Sequence, residues 1–428
     1  MKTAQPLLNK QYEDAVARMQ HPRDFRPFMP PANSPEPNTT RRERTLQNMT
    51  NLPQIRECYE EWTRLWQEPF RGITTDGTVQ AIHRPLQPNG APTAAMVAAA
   101  NEVIRTLSPG FLSRVRFAVD GPEWRRWHNM PLCWERDGIS IEDMNDRERA
   151  AVLALVKASV SSEGYAHIQD LMFINRYSGD LVGRPRYLNE WCYQFGLFGT
   201  PSMHEPWGWQ LYGHHLVINA LVMGETLVMS PTFLGAEPTY VDDGPHQGMN
   251  VFSEHEDQGL LLMRNLSPAL RGRAQIHASS KFADLPPGRR HWADGTHLGG
   301  AFQDNRIIPY EGIAGREMTP EDRQRLYALI REYFILLPEP ARALRLAEIE
   351  AHLDDTWFSW IGGYDDWSPF YYRIQSPVVL LEFDHQAGVF LKNPEPQRFH
   401  VHTIARTPNG GDYGHDLLPQ YRQQLANK

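Results

Sequence analysis

Two adjacent histidines, His214 and His215, interrupt the otherwise apolar stretch GWQLYGHHLVIN at residues 208–219. Read as one β-strand, this stretch places alternate side chains on the same face. His214 then travels with Leu216 and Ile218, and His215 with Val217 and Asn219. The second face is the more polar, so His215 is the better ligand candidate, unless a bulge at Gly213 re-aims its neighbour. The bland alternative is that both are hydrogen-bonded structural histidines. In FHVHT (399–403), His400 and His402 are two apart and share a strand face, a spacing that presents two imidazoles to one ion. In VVLLEFD (378–384), Glu382 and Asp384 share a face of an apolar run. Carboxylates buried there need a cation, a proton or a metal. Arg373 and Arg406 are the candidates for a plain ion pair. If 371–384 and 399–406 pair as antiparallel strands, one register sets Glu382 opposite His402 and Asp384 opposite His400.

The candidate metal ligands are therefore His214, His215, His400, His402 and Asp384, with His215 preferred over His214. A mixed nitrogen and oxygen site of this kind suits a divalent transition metal, with iron favoured and zinc, copper or manganese as alternatives. Two histidines and a carboxylate with open positions point to iron and oxygen chemistry, whereas three histidines leave copper or zinc open. Glu382 and Glu205 are candidate acid–base groups, and the planar fork of Arg373 is suited to a substrate carboxylate. Trp207, Trp209, Gln210 and Asn219 are the candidates for lining a substrate pocket, although tryptophans are more often core.

These residues must be carried by elements that the pattern also predicts. Helices are expected over 93–108 with Thr93 as cap, over 141–160, and directly after it in SSEGYAHIQDLMFINRYS. SEHEDQGLLLMRNLS (253–267) reads as a helix with Ser253 and Glu256 in capping-box positions. Residues 319–353 read as a helical hairpin that opens on Thr319 and Pro320. Strands are expected over 209–219 and 226–233, joined by a turn at Gly224, and over 371–384 and 399–406. Residues 1–43 form an expected extended arm, and 44–428 one large α+β domain with a helical N-terminal half and a mixed, largely antiparallel sheet. The Gly- and Pro-rich loop between 267 and 318 is long enough to be functional or mobile. TLSPGFLSRVRF (106–117) echoes NLSPALRGRAQI (265–276), by duplication or, as the preferred reading, by chance.

The chain has 428 residues, a net charge of -8 and 41% hydrophobic content. The charge argues against a nucleic-acid binder. No run approaches ~20 apolar residues, so no membrane span is expected. The three cysteines, Cys58, Cys133 and Cys192, show no CxxC spacing and suit a reduced, cytoplasmic protein. GxGxxG, GxxxxGK[ST] and GxSxG motifs are absent, which argues against nucleotide-binding enzymes of the common types and against a standard α/β-hydrolase.

The motifs EPFRGITTDG, VDGPEWRRWHN, EPWGWQLYGHHLVIN, SPTFLGAEP, YYRIQSPVVLLEFD and HVHT, in that order, resemble the uncharacterised family DUF3500 from about residue 45 onward. The resemblance implies paired histidines and paired carboxylates at His214, His215, Glu382, Asp384, His400 and His402. The segment HQAGVFLKNPEPQRF (385–399) departs from the family pattern as an insert, in the place of a lid or substrate-contacting loop. The expected function is a metal-dependent enzyme acting on a small organic molecule, most simply an oxidoreductase. The alternatives are a metal-dependent hydrolase and a non-catalytic ligand-binding or structural protein. An oligomer is compatible with the sequence.

Overall fold

The computed structural model describes residues 4–31, 38–82, 84–134 and 138–427. Its architecture is α+β, with helices packed around one mixed sheet. Ten strands form the main path of that sheet. The first meander comprises β1 (Arg116–Phe117), β3 (Tyr193–Gly199), β4 (Trp207–Gly213), β5 (Leu216–Met223) and β6 (Thr226–Ala236). The second comprises β7 (Gln275–His277), β9 (Trp357–Gly362), β10 (Phe370–Gln375), β11 (Leu380–Gln386) and β12 (Gln397–Arg406). Their spatial order is β1-β3-β4-β5-β6-β12-β11-β10-β9-β7, with β2 (Ile139–Ser140) on β3 and β8 (Ile313–Ala314) on β9. The two meanders meet at the antiparallel β6–β12 seam.

The LSP echo extends to an element-by-element repeat. Helices Thr93–Thr106 and Pro109–Val115 lead into β1, which pairs parallel to β3. Helices Ser253–Asn265 and Pro268–Ala274 lead in the same way into β7, which pairs parallel to β9. Each half then has a two-residue strand, a short 3-10 turn, two helices and a four-strand meander. The second pair of helices is Asp146–Ser159 and Ser162–Leu181 in one half, Pro320–Glu332 and Glu339–Ala351 in the other. Equivalent registers match Gln210 opposite Asn219 with Arg373 opposite Glu382. They also match the apolar pair Leu221 and Val228 with the polar pair Asp384 and His402.

The sheet is covered on both faces, which is why its strands read as apolar runs. Along β5, Leu216, Ile218 and Val222 face the helices, packing with Leu155 and Leu171. Val217 and Leu221 face Trp62, Trp127 and Tyr413 on the other side. His402 shares this second face with Ile404 of β12. Among the described residues, no helix is long and apolar enough to cross a membrane.

Several local expectations change. The 209–219 strand breaks at His214–His215, a two-residue turn between Gly213 and Leu216. His215 adopts φ +64 there, so strand alternation does not apply to either histidine. The 371–384 strand breaks at Ser376–Pro377, because proline cannot donate to a central ladder. Ser376 Oγ accepts from the N–H groups of Val378 and Val379 at 3.2 Å. β11 and β12 do pair, but with Asp384 opposite His402 and Glu382 opposite Ile404, two residues from the expected register. A bulge between His385 and Gln386 and the inserted loop set this offset.

Thr93 does not cap its helix; its hydroxyl donates to Gly224 O at 2.5 Å and ties the helix to the β5–β6 turn. Ser253 and Glu256 form no capping box, since Glu256 is buried against His385 and Arg398. The helical hairpin at 319–353 carries Thr319 as its first cap. Residues 1–43 include a helix, Ala4–Val16, and Phe25 and Phe28 are buried in the main core. Residues 32–37 of the expected arm lie outside the described residues.

Candidate metal centre

Three buried imidazoles converge at one end of the β6–β12 seam. His215 comes from the β4–β5 turn, and His400 and His402 come from β12. One ligand nitrogen from each lies within 4.8 Å of the other two. His400 Nε2 is 3.2 Å from His215 Nε2 and 3.2 Å from His402 Nε2. His400 Nδ1 donates to Ala387 O at 2.8 Å, which fixes the tautomer and leaves the Nε2 lone pair facing the other rings. One in-plane lone pair cannot accept from two neighbours, so the cluster is under-satisfied without a cation. Burial, followed by the neighbouring imidazoles, holds His215 and His402 well below the ordinary histidine pKa, so both rings are neutral. Nitrogens bound to one ion at ~2.0–2.1 Å lie roughly 2.9–3.4 Å apart, which matches the spacing of His400 Nε2 from each of the other two rings.

Gly235 makes the convergence sterically feasible. It stands opposite His402 across the seam. A Cβ there would meet Val401 O at 2.8 Å, His402 Cδ2 at 3.0 Å and His215 Cδ2 at 3.1 Å. Its N–H donates to His215 O at 2.8 Å, which pins the strained turn to β6.

His214 is turned away from this cluster. Its Nδ1 donates to Asn175 Oδ1 at 2.6 Å, and its ring stacks on His215 at 3.8 Å. Asp384 lies across from His402 but is held by the Thr296 N–H and hydroxyl and by Gln386. Its other oxygen is 3.1 Å from His297 Nε2, in a geometry too bent for a hydrogen bond. Glu382 accepts from the N–H groups of Leu298 and Gly299 and from the Tyr371 hydroxyl. Burial raises both carboxyls; at Asp384 it prevails and the pKa rises. At Glu382 it is outweighed by His297, Arg373 and these donors, and the pKa falls.

The remaining candidates lie elsewhere. Arg373 faces Glu382 across the strands but donates to Glu311 and Pro309 O. Arg406 pairs with Asp304 and Asp412. Trp207 and Trp209 are core residues that donate to Ser202 O and Ser159 Oγ. Gln210 donates to Asn219 Oδ1 at 2.6 Å and to Trp124 O, and Asn219 donates to Pro231 O. Glu205 is exposed on the β3–β4 loop.

A cavity of about 330 Å³ reaches the cluster at His215 and His402. Its other walls come from His214, from five residues between 44 and 55, from 129–132, and from Arg184, Tyr187, Trp292, Ala293 and the inserted residues Val389 and Phe390. Neither Arg44 nor Arg184 stood out in the sequence, and nor did Asn175 or His297; only His297 had a signal, its place in the long Gly-rich loop. Glu237 was also missed. Its buried carboxylate accepts from the N–H groups of Val389, Phe390 and Leu391 and so anchors the insert beside His400.

A family model described as a protein of unknown function, DUF3500, matches residues 89–415. The chain belongs to this family, and all of the converging histidines fall within the match. No curated protein and no solved structure matches the chain.

Proposed function

We propose that this protein is a metal-dependent enzyme acting on a small organic molecule, an oxidoreductase whose divalent transition metal is held by His215, His400 and His402. The observation that carries the reading is the convergence of three buried imidazoles, two of them at the wall of a cavity of small-molecule size. A metal held on one side by three imidazoles keeps open positions for substrate or oxygen. Iron and copper both suit such a ligand set for redox chemistry, and manganese, which favours oxygen ligands, suits it less. The protein's own groups orient the site: Ala387 O aims His400, the Gly235 N–H holds the His215 turn, and Asp384 and His297 stand behind His402.

A second reading, a metal-dependent hydrolase, is favoured by the absence, among the described residues, of a carboxylate from the converging set. Three neutral ligands leave the full charge of a zinc ion to acidify bound water. The net charge of -8 and the three unbridged cysteines support a cytoplasmic protein that does not bind nucleic acid. Elemental analysis of protein purified without added metal tests the site. Stoichiometric iron or copper with oxygen uptake supports the oxidoreductase, and zinc with hydrolytic turnover supports the second reading. No metal, with no binding of added iron, copper or zinc, refutes both.

A further inference from the structure

We infer that the cavity beside the histidine cluster takes an uncharged molecule with an apolar body and a hydroxyl group, and that Asn129 binds the hydroxyl. This deepens the proposed function and rests on that reading only for its chemistry.

Asn129 closes the motif VDGPEWRRWHN and lines the cavity. Its backbone oxygen accepts from the His215 N–H at 3.3 Å, which ties it to the turn that carries the first ligand. The residue is 3% exposed, and its side-chain oxygen is buried with no donor. Buried amide oxygens are nearly always paired, because an unpaired one has lost water and gained nothing. Here the unpaired group belongs to a cavity wall, where a ligand can bring the missing donor. A hydroxyl group supplies one. An ether or a carboxylate only accepts and does not.

A charged ligand is less well served. Among the described residues the lining has no carboxylate, so an amine, a cation near neutral pH, meets no counter-charge. Arg44 and Arg184 line the cavity, but each already has a partner within the protein. Much of the remaining wall is apolar. Ile55, Leu132 and Phe390 are buried, while Leu52, Trp292 and Val389 are exposed. The Phe390 ring is set edge-on to Tyr187 and His214, with centroids 5.8 and 5.6 Å away, so this side of the wall is formed before a ligand arrives. An apolar wall with a few placed polar groups is the usual build of a small-molecule site. Exposed apolar side chains suit the body of such a ligand.

The test is titration calorimetry on the whole, metal-free chain, using benzyl alcohol, benzyl methyl ether, benzoate and benzylamine, with zinc binding measured separately. The expected result is that the alcohol binds at least ~10-fold more tightly than the ether, the worth of one hydrogen bond to a buried group, and more tightly than either ion. In Asn129→Ala the preference over the ether disappears while the ether binds as before, which a merely structural role would not produce. Equal affinity for alcohol and ether in the wild-type chain overturns the inference and needs no variant. So does tightest binding by benzoate or benzylamine, no binding of any probe, or a well-folded Asn129→Ala chain that keeps the preference. Alcohol selectivity in a chain that binds no metal leaves this inference standing and removes the proposed chemistry. Metal binding without selectivity does the opposite.

Discussion

His214 and His215 are neighbours in sequence with separate partners, and substitution can separate their roles. His402→Ala or His400→Ala is expected to abolish stoichiometric metal binding, read by elemental analysis after equilibration with zinc. His214→Ala is expected to retain the metal and to cost about 1–3 kcal/mol of stability in denaturant melts, because it strips the buried Asn175 oxygen of its donor. Loss of metal in the His214 variant, with retention in the His402 variant, would contradict the assignment. Gly235→Ala sharpens the same point without touching a ligand. The added methyl group would press on both His215 and His402, so metal affinity should fall by at least ~10-fold, measured by competition with a chromophoric chelator.

At the level of elements, the insert and its anchor are the moving part most open to experiment. Glu237→Gln removes the charge that binds the N–H groups of Val389, Phe390 and Leu391 at about 3.0–3.3 Å. Charge-assisted bonds of this kind weaken by roughly half when the acceptor becomes neutral. Hydrogen exchange should therefore accelerate across residues 388–391 while the β11 and β12 amides stay protected. Uniform acceleration over both strands would mean that the carboxylate holds the seam rather than the loop. Much of this element plan was legible. The polar interruptions LEFD and FHVHT marked one face, and the helix starts at Thr319 and the turn at Gly224 followed from local chemistry. What was not legible has physical causes. Gly213 and two histidines carry no strong turn signal, so the chain looked continuous where it folds back. The β11–β12 register depends on a bulge beside an insert whose path no periodicity encodes. Trp207 and Trp209 suit a core more often than a pocket by residue type, and the acceptors of their indole N–H groups, Ser202 O and Ser159 Oγ, lie in other elements and decide for the core.

The whole molecule is two copies of one plan, and the β5–β6 register that carries the apolar pair Leu221 and Val228 in the first half carries Asp384 and His402 on β11 and β12 in the second. Its acid sensitivity is a property of the entire fold. Burial, as the largest cause, pushes His128 and His255 down to about 3 and His167 and His385 down to about 4. In the unfolded chain these rings titrate near ~6.5. The unfolded state thus binds more protons, and the stability they contribute is complete above that pH and lost as pH falls through their folded values. Glu256 adds to the loss lower down. Burial raises its pKa, but His385, Arg398 and Arg23 prevail and hold it at about 2, so its contribution goes between the ordinary carboxylate range and that value. The thermal midpoint of metal-free protein should fall steadily from pH 7 to pH 4; a flat profile would contradict the buried neutral rings.

The strained turn that carries His215 belongs to the first copy of the plan, and the strand that carries His400 and His402 closes the second, 185 residues later. An ion can be grasped by all three only after both meanders have formed and zipped together. Under the proposed function, loading would thus be a late event in the life of the chain, with the metal set by what the surroundings supply at that moment. Because the cavity reaches the cluster at His215 and His402, an ion held there would be open to a chelator small enough to enter, and stripping should speed up with that chelator's concentration rather than wait on the parting of the seam.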